Sequence, residues 1–149
     1  MVNDDATQLA TLAALARKAG AGTLAFTNAE DALGAIGSQP PPCLIITDLH
    51  MPGIDGWRFC RLLRSPEYST VNHVPIVVVS ALFAGEEPNQ IAADLGAEAF
   101  VAAPVDGAHF VGLVRNILAG NEKKLPPRLL LVENARSQAR RLAAAFETN

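Results

Sequence analysis

The chain has 149 residues, half of them apolar, and a net charge of −3. That length suits about one domain, and the apolar content excludes a disordered chain. The acidic balance argues against nucleic acid held by bulk positive charge, and two cysteines, Cys43 and Cys60, make neither a disulfide framework nor a four-ligand zinc site.

Leu9, Leu12, Ala13 and Ala16 recur at helical spacing, and Gly20 and Gly22 then punctuate. Residues 23–27 are short and β-leaning and end at Asn28, a good N-cap. Residues 29–36 read as a helix stopped by Gly37 and the run Pro40-Pro41-Pro42. Residues 43–47 form a continuous apolar run, the kind that suits a parallel strand covered on both faces. A helix is predicted over 57–64, with Phe59, Leu62 and Leu63 facing the core. Ile76, Val77, Val78 and Val79 are β-branched in succession and give the strongest strand. Residues 88–95 suit a short helix with Pro88 near its first turn and Gly96 at its end. A strand over 100–102 and a helix marked by Phe110, Val114, Ile117 and Leu118 follow.

Alternating strands and helices imply parallel strands joined by right-handed crossovers. Chemistry in such sheets gathers at the carboxyl ends of the strands. That rule selects Asp48, Ser80 and the Ala103-Pro104 step. Asp4 and Asp5 stand where a signal peptide would be basic, and the longest apolar stretch, 74–84, is too short to cross a membrane. A cytoplasmic domain with no membrane or nucleic-acid partner is expected.

Residues 121–127 are polar and proline-bearing and read as a linker. Residues 128–132 then form a new strand, and Ala135, Ala139, Leu142 and Phe146 follow at helical spacing. This tail echoes the start of the chain. At an offset of 130, Val2 matches Val132, Thr7 falls on Ser137, Gln8 matches Gln138, and Asn3-Asp4 falls on Glu133-Asn134. The pattern is that of a second copy beginning one domain length later.

The most specific segment is Leu44-Ile45-Ile46-Thr47-Asp48-Leu49-His50-Met51-Pro52-Gly53-Ile54-Asp55-Gly56. A hydrophobic strand delivers a carboxylate, and a Pro-Gly loop follows. With Pro75 to Ala81, Ala92 to Phe100 and Pro104, this resembles the receiver domain of bacterial two-component response regulators over residues 1 to about 119. The resemblance implies a flavodoxin-like, doubly wound α/β fold with a parallel five-stranded sheet in the order 2-1-3-4-5. It implies a receiver over 1–120, the linker 121–127, and a strand–helix over 128–149 that begins a second receiver. The first strand is truncated, because only Met1 and Val2 precede Asn3. The vacancy lies between the second and third strands. Residues 129–132 are expected to pair there, in preference to the outer edge of the sheet.

By the same resemblance, Asp48 is the phosphoacceptor in a phosphorelay. Mg²⁺ would be held by the Asp4 and Asp48 carboxylates and the His50 backbone carbonyl, with Asn3 contributing weakly through water. Ser80 and Phe100 match the switch pair. The family lysine is replaced by Ala103, and the Ala103-Pro104 peptide is expected to be cis. The three lysines, at 18, 123 and 124, are not placed to substitute. The implied partners are a sensor histidine kinase or phosphotransfer protein and a further receiver or output domain. The vacant central strand, with a tail helix from Ala135 competing with the N-terminal helix for one face, adds a second copy of the chain through the C-terminal strand–helix. The resemblance implies a signalling module, not an enzyme. The alternative is a degenerate receiver that binds partners without phosphorylation. A nucleotide enzyme of similar architecture lacks its glycine-rich phosphate loop.

Overall fold

A computed structural model of the protein describes residues 6–81, 85–120 and 128–132. Five helices, α1 (Ala6–Lys18), α2 (Ala29–Ser38), α3 (Gly56–Arg64), α4 (Pro88–Leu95) and α5 (Gly107–Ala119), alternate with β1 (Gly22–Phe26), β2 (Leu44–Thr47), β3 (Ile76–Ser80), β4 (Ala99–Ala102) and β5 (Arg128–Val132). All strand pairs are parallel, in the order β1-β5-β2-β3-β4.

Side-chain alternation along the strands divides the core in two. Ile45, Ile76 and Val78 face one side, where Ala32, Phe59, Leu63, Ile91 and Leu95 of α2, α3 and α4 cover them. Leu44, Ile46, Val77 and Val79 face the other, beneath Leu9, Leu12, Ala16, Phe110 and Val114 of α1 and α5. Leu62, expected in the core, is only half-buried and lies on the flank beside Arg58 and Arg61. Its neighbours Phe59, Cys60 and Leu63 take the core face instead.

Local chemistry sets the helix ends. Asn28, Asp55 and Asp106 each accept a hydrogen bond from a backbone N–H three residues on, at 2.7, 2.8 and 2.9 Å, and so satisfy a free donor of the first helical turn. Gly96 ends α4 in the left-handed region at φ 64°, where a side chain is disfavoured. Arg64 at the end of α3 donates to the carbonyls of Asn72 and Val74, both at 2.9 Å, and of Gly96 at 2.8 Å. It thereby ties α3 to the segment before β3 and to the end of α4.

The central place in the sheet is held by the last strand of the chain. In β5, Leu130 is opposite Leu24 of β1 and Ile45 of β2, and Val132 is opposite Phe26 and Thr47. β5 thus lies in the vacancy between the second and third expected strands and not at the outer edge. Met1 and Val2 lie outside the described residues, as does the helix expected from Ala135.

Burial also governs Cys60. It pushes the thiol from 9.0 up to about 12, against a smaller opposing pull from Arg64. The folded chain holds this proton more tightly than the unfolded chain does. The resulting stability is complete below the unfolded pKa and is lost as pH rises through the folded one. We expect the urea midpoint to fall between about pH 9 and 12, and Cys60→Ala to flatten that alkaline decline. A decline of equal slope in the variant would assign it to other groups.

Candidate functional site

β2 ends at Thr47 and delivers Asp48 to the carboxyl edge of the sheet, where the side chain is 4% exposed. A buried carboxylate needs donors, and three converge on its Oδ1. The backbone N–H of Leu49 donates at 2.6 Å, that of His50 at 3.2 Å, and the Ser80 hydroxyl at 2.8 Å. Leu49 and His50 can do so because the chain turns sharply after β2. Ser80 can because β3 runs parallel beside β2 and ends at the same edge.

The loop after Asp48 is folded back tightly. The Gly56 N–H donates to the Leu49 carbonyl at 2.9 Å, and a Cβ at Gly56 would overlap the Asp48 carbonyl oxygen and the Leu49 Cα. Glu30 of α2 reaches across and accepts from the Ile54 N–H at 3.1 Å. Its carboxylate lies over Gly53, whose φ of 76° is left-handed. α2, the loop and α3 are thereby joined around the carboxylate.

Ala103 lies at the next strand end and donates its N–H to the Ser80 carbonyl at 3.0 Å. Its peptide to Pro104 is cis. Phe100, half-buried on β4 opposite Val78, packs against the α2–α3–α4 core. A carboxylate oriented at a strand end, a hydroxyl on the neighbouring strand and an aromatic on the next compose the receiver arrangement, and the profile of the response regulator receiver domain matches residues 1–115.

The chain belongs to the response regulator receiver family. It is 32% identical over 115 residues to the sensory/regulatory protein RpfC of Xanthomonas campestris, covering 76% of this chain and 15% of that protein. It is 27% identical over 135 residues to the response regulator PleD of Caulobacter vibrioides, covering 74% of this chain and 29% of that protein. The chain therefore spans less than a third of either relative. Among solved structures, a response regulator from Chloroflexus aurantiacus shares 33% identity at a TM-score of 0.65, over 79% of this chain and 93% of that one. The receiver domain of a signal transduction histidine kinase from Syntrophus aciditrophicus aligns with a TM-score of 0.67 at 25% identity, over 83% and 91% of the two chains.

Of the residues selected from sequence, this receiver brings Asp48, the His50 backbone and Ser80 into direct contact, with Ala103 bonded to the Ser80 backbone. Phe100 stands apart, on the strand beyond β3. Asn3 and Asp4 lie outside the described residues. Among the described residues no three His, Cys, Asp or Glu side chains cluster as metal ligands, and no helix is long and apolar enough to cross a membrane. Glu30 was not foreseen as a site residue. Its contact spans 24 positions, and no local pattern marks it.

Proposed function

We propose that the chain is a cytoplasmic receiver module that accepts a phosphoryl group on Asp48 from a histidine kinase or phosphotransfer protein and signals through altered protein contacts. The observation that carries this reading is the Asp48 carboxylate, almost fully buried yet held at the sheet edge by three donors on one oxygen. An Asp48 oxygen forms the new O–P bond as the P–N bond of a donor phosphohistidine breaks, and the released imidazole takes up a proton from solvent. The two backbone N–H groups fix the carboxylate against rotation. A nucleophile held in place reacts without an ordering cost at the moment of transfer.

The donor set suits Mg²⁺, since Asp48 and the His50 carbonyl offer hard oxygens. Asp48, the His50 carbonyl and Asp4 would hold it, with Asn3 acting weakly through water. When bound, Mg²⁺ neutralises charge on the phosphoryl oxygens.

Ala103 favours a second reading, because it offers no ammonium beside Ser80 at the place where the family has lysine. A degenerate receiver would keep the fold and bind partners without phosphorylation. Residues 1–120 are the receiver on either reading. Residues 121–127 are a linker, and 128–149 begin a further receiver whose first strand completes the sheet. A tail helix from Ala135 would compete with α1 for one face of the sheet, which favours exchange between two copies of the chain.

Intact mass after incubation with acetyl phosphate and Mg²⁺ separates the readings. The chain is expected to gain one phosphoryl group and Asp48→Asn none. An unchanged mass for the unsubstituted chain would favour the degenerate receiver.

A further inference from the structure

Ser80 makes a contact that the phosphoacceptor role alone does not require. Ser80 is 2% exposed, and its hydroxyl points at Asp48, 2.8 Å from Oδ1. Among the described residues it is the only side-chain donor to that carboxylate. The neighbouring strand end, bonded to Ser80 through its backbone, presents a methyl group at Ala103. A buried carboxylate depends strongly on each of its donors, since leaving it short of one costs far more than the bond itself contributes in water.

We propose that Ser80 is a positioning residue for Asp48: its hydroxyl serves in place of an ammonium at Ala103 and holds the carboxylate in its reactive orientation before any phosphoryl group arrives. The hydrogen bond ties the end of β3 to Asp48.

The rate arm of the test rests on the phosphoacceptor reading, and the exchange arm does not. In the first arm, the rate of labelling by acetyl phosphate with Mg²⁺ is followed by intact mass. Ser80→Ala is expected to slow it about tenfold, the scale for a hydrogen bond to a charged group, and Ser80→Thr, which keeps the hydroxyl, to restore it. In an Ala103→Lys background the ammonium takes over the role, and Ser80→Ala then changes the rate by less than about twofold. An equal loss from Ser80→Ala in both backgrounds means that Ser80 serves only packing, and this overturns the proposal. So does no loss in the unsubstituted background.

The second arm needs no phosphoryl transfer. The Leu49 amide donates to the same Oδ1, so hydrogen exchange at that amide reports on how firmly the carboxylate is held. Exchange is expected to be about tenfold faster in Ser80→Ala, as for one lost hydrogen bond to a charged group, and near the original rate in Ser80→Thr. If the unsubstituted chain takes up no phosphoryl group, the phosphoacceptor reading falls and this arm still decides the positioning role. Unchanged exchange in Ser80→Ala overturns it.

Discussion

A chain ending at Gly120 is expected to lose cooperative unfolding and to aggregate. β5 is paired on both sides, through five residues with β1 and four with β2. Its removal strips β1 of its only strand partner among the described residues and exposes the inner edge of β2, whose four residues are all buried. Each buried backbone group left unpaired costs about 1–3 kcal/mol. Several such groups consume most of the roughly 5–15 kcal/mol that a domain has in total. The freed edge would also be an apolar template for pairing between chains. Light scattering and a thermal melt followed by circular dichroism give the answer. A shortened chain that stays monomeric and melts at the original temperature would show that β5 is dispensable to the sheet.

Gly56→Ala is expected to destabilise by about 3 kcal/mol or more, at the upper end of overpacking effects. The added Cβ meets backbone, the Asp48 carbonyl and the Leu49 Cα, and neither can move without shifting Asp48 itself. The same substitution at Gly112, in the middle of α5, meets nothing within 4 Å. There the gain in helix propensity should stabilise by about 0.5–1 kcal/mol. Denaturant midpoints for the two variants measure both effects. Near-equal midpoints would mean that the loop after Asp48 is looser than its geometry indicates.

What the sequence disclosed follows from where the forces are local. The β-branched run at 76–79 and the apolar run ending at Thr47 needed no tertiary information to read as covered parallel strands. Asn28 acts within one helical turn and was visible as a residue pattern, whereas Asp55 and Asp106, which cap in the same way, were not singled out. Asp48, the Pro52-Gly53 loop and Gly56 were legible because one short segment carries them. Leu62 was misplaced because the core face of α3 is the arc that holds Phe59, Leu63 and Cys60, and Leu62 lies outside that arc on the Phe59 side, which spacing alone did not say. Glu30 on the 53–56 loop and Arg64 on the carbonyls of Asn72, Val74 and Gly96 are long-range contacts of ordinary charged residues. Nothing in their neighbourhoods distinguishes them from a solvated helix face. The slot for β5 was legible for another reason: a parallel sheet cannot lack its middle strand, and only one unassigned apolar strand remained.

The central claim is that Asp48 is the residue that takes up the phosphoryl group. The most direct measurement is chemical mapping of the labelled chain. After incubation with acetyl phosphate and Mg²⁺, borohydride reduces an aspartyl phosphate to homoserine, and fragment masses then locate the altered residue. We expect homoserine at position 48 and nowhere else. Homoserine at another aspartate, or a phosphoryl group that survives on a serine or histidine, would contradict the assignment.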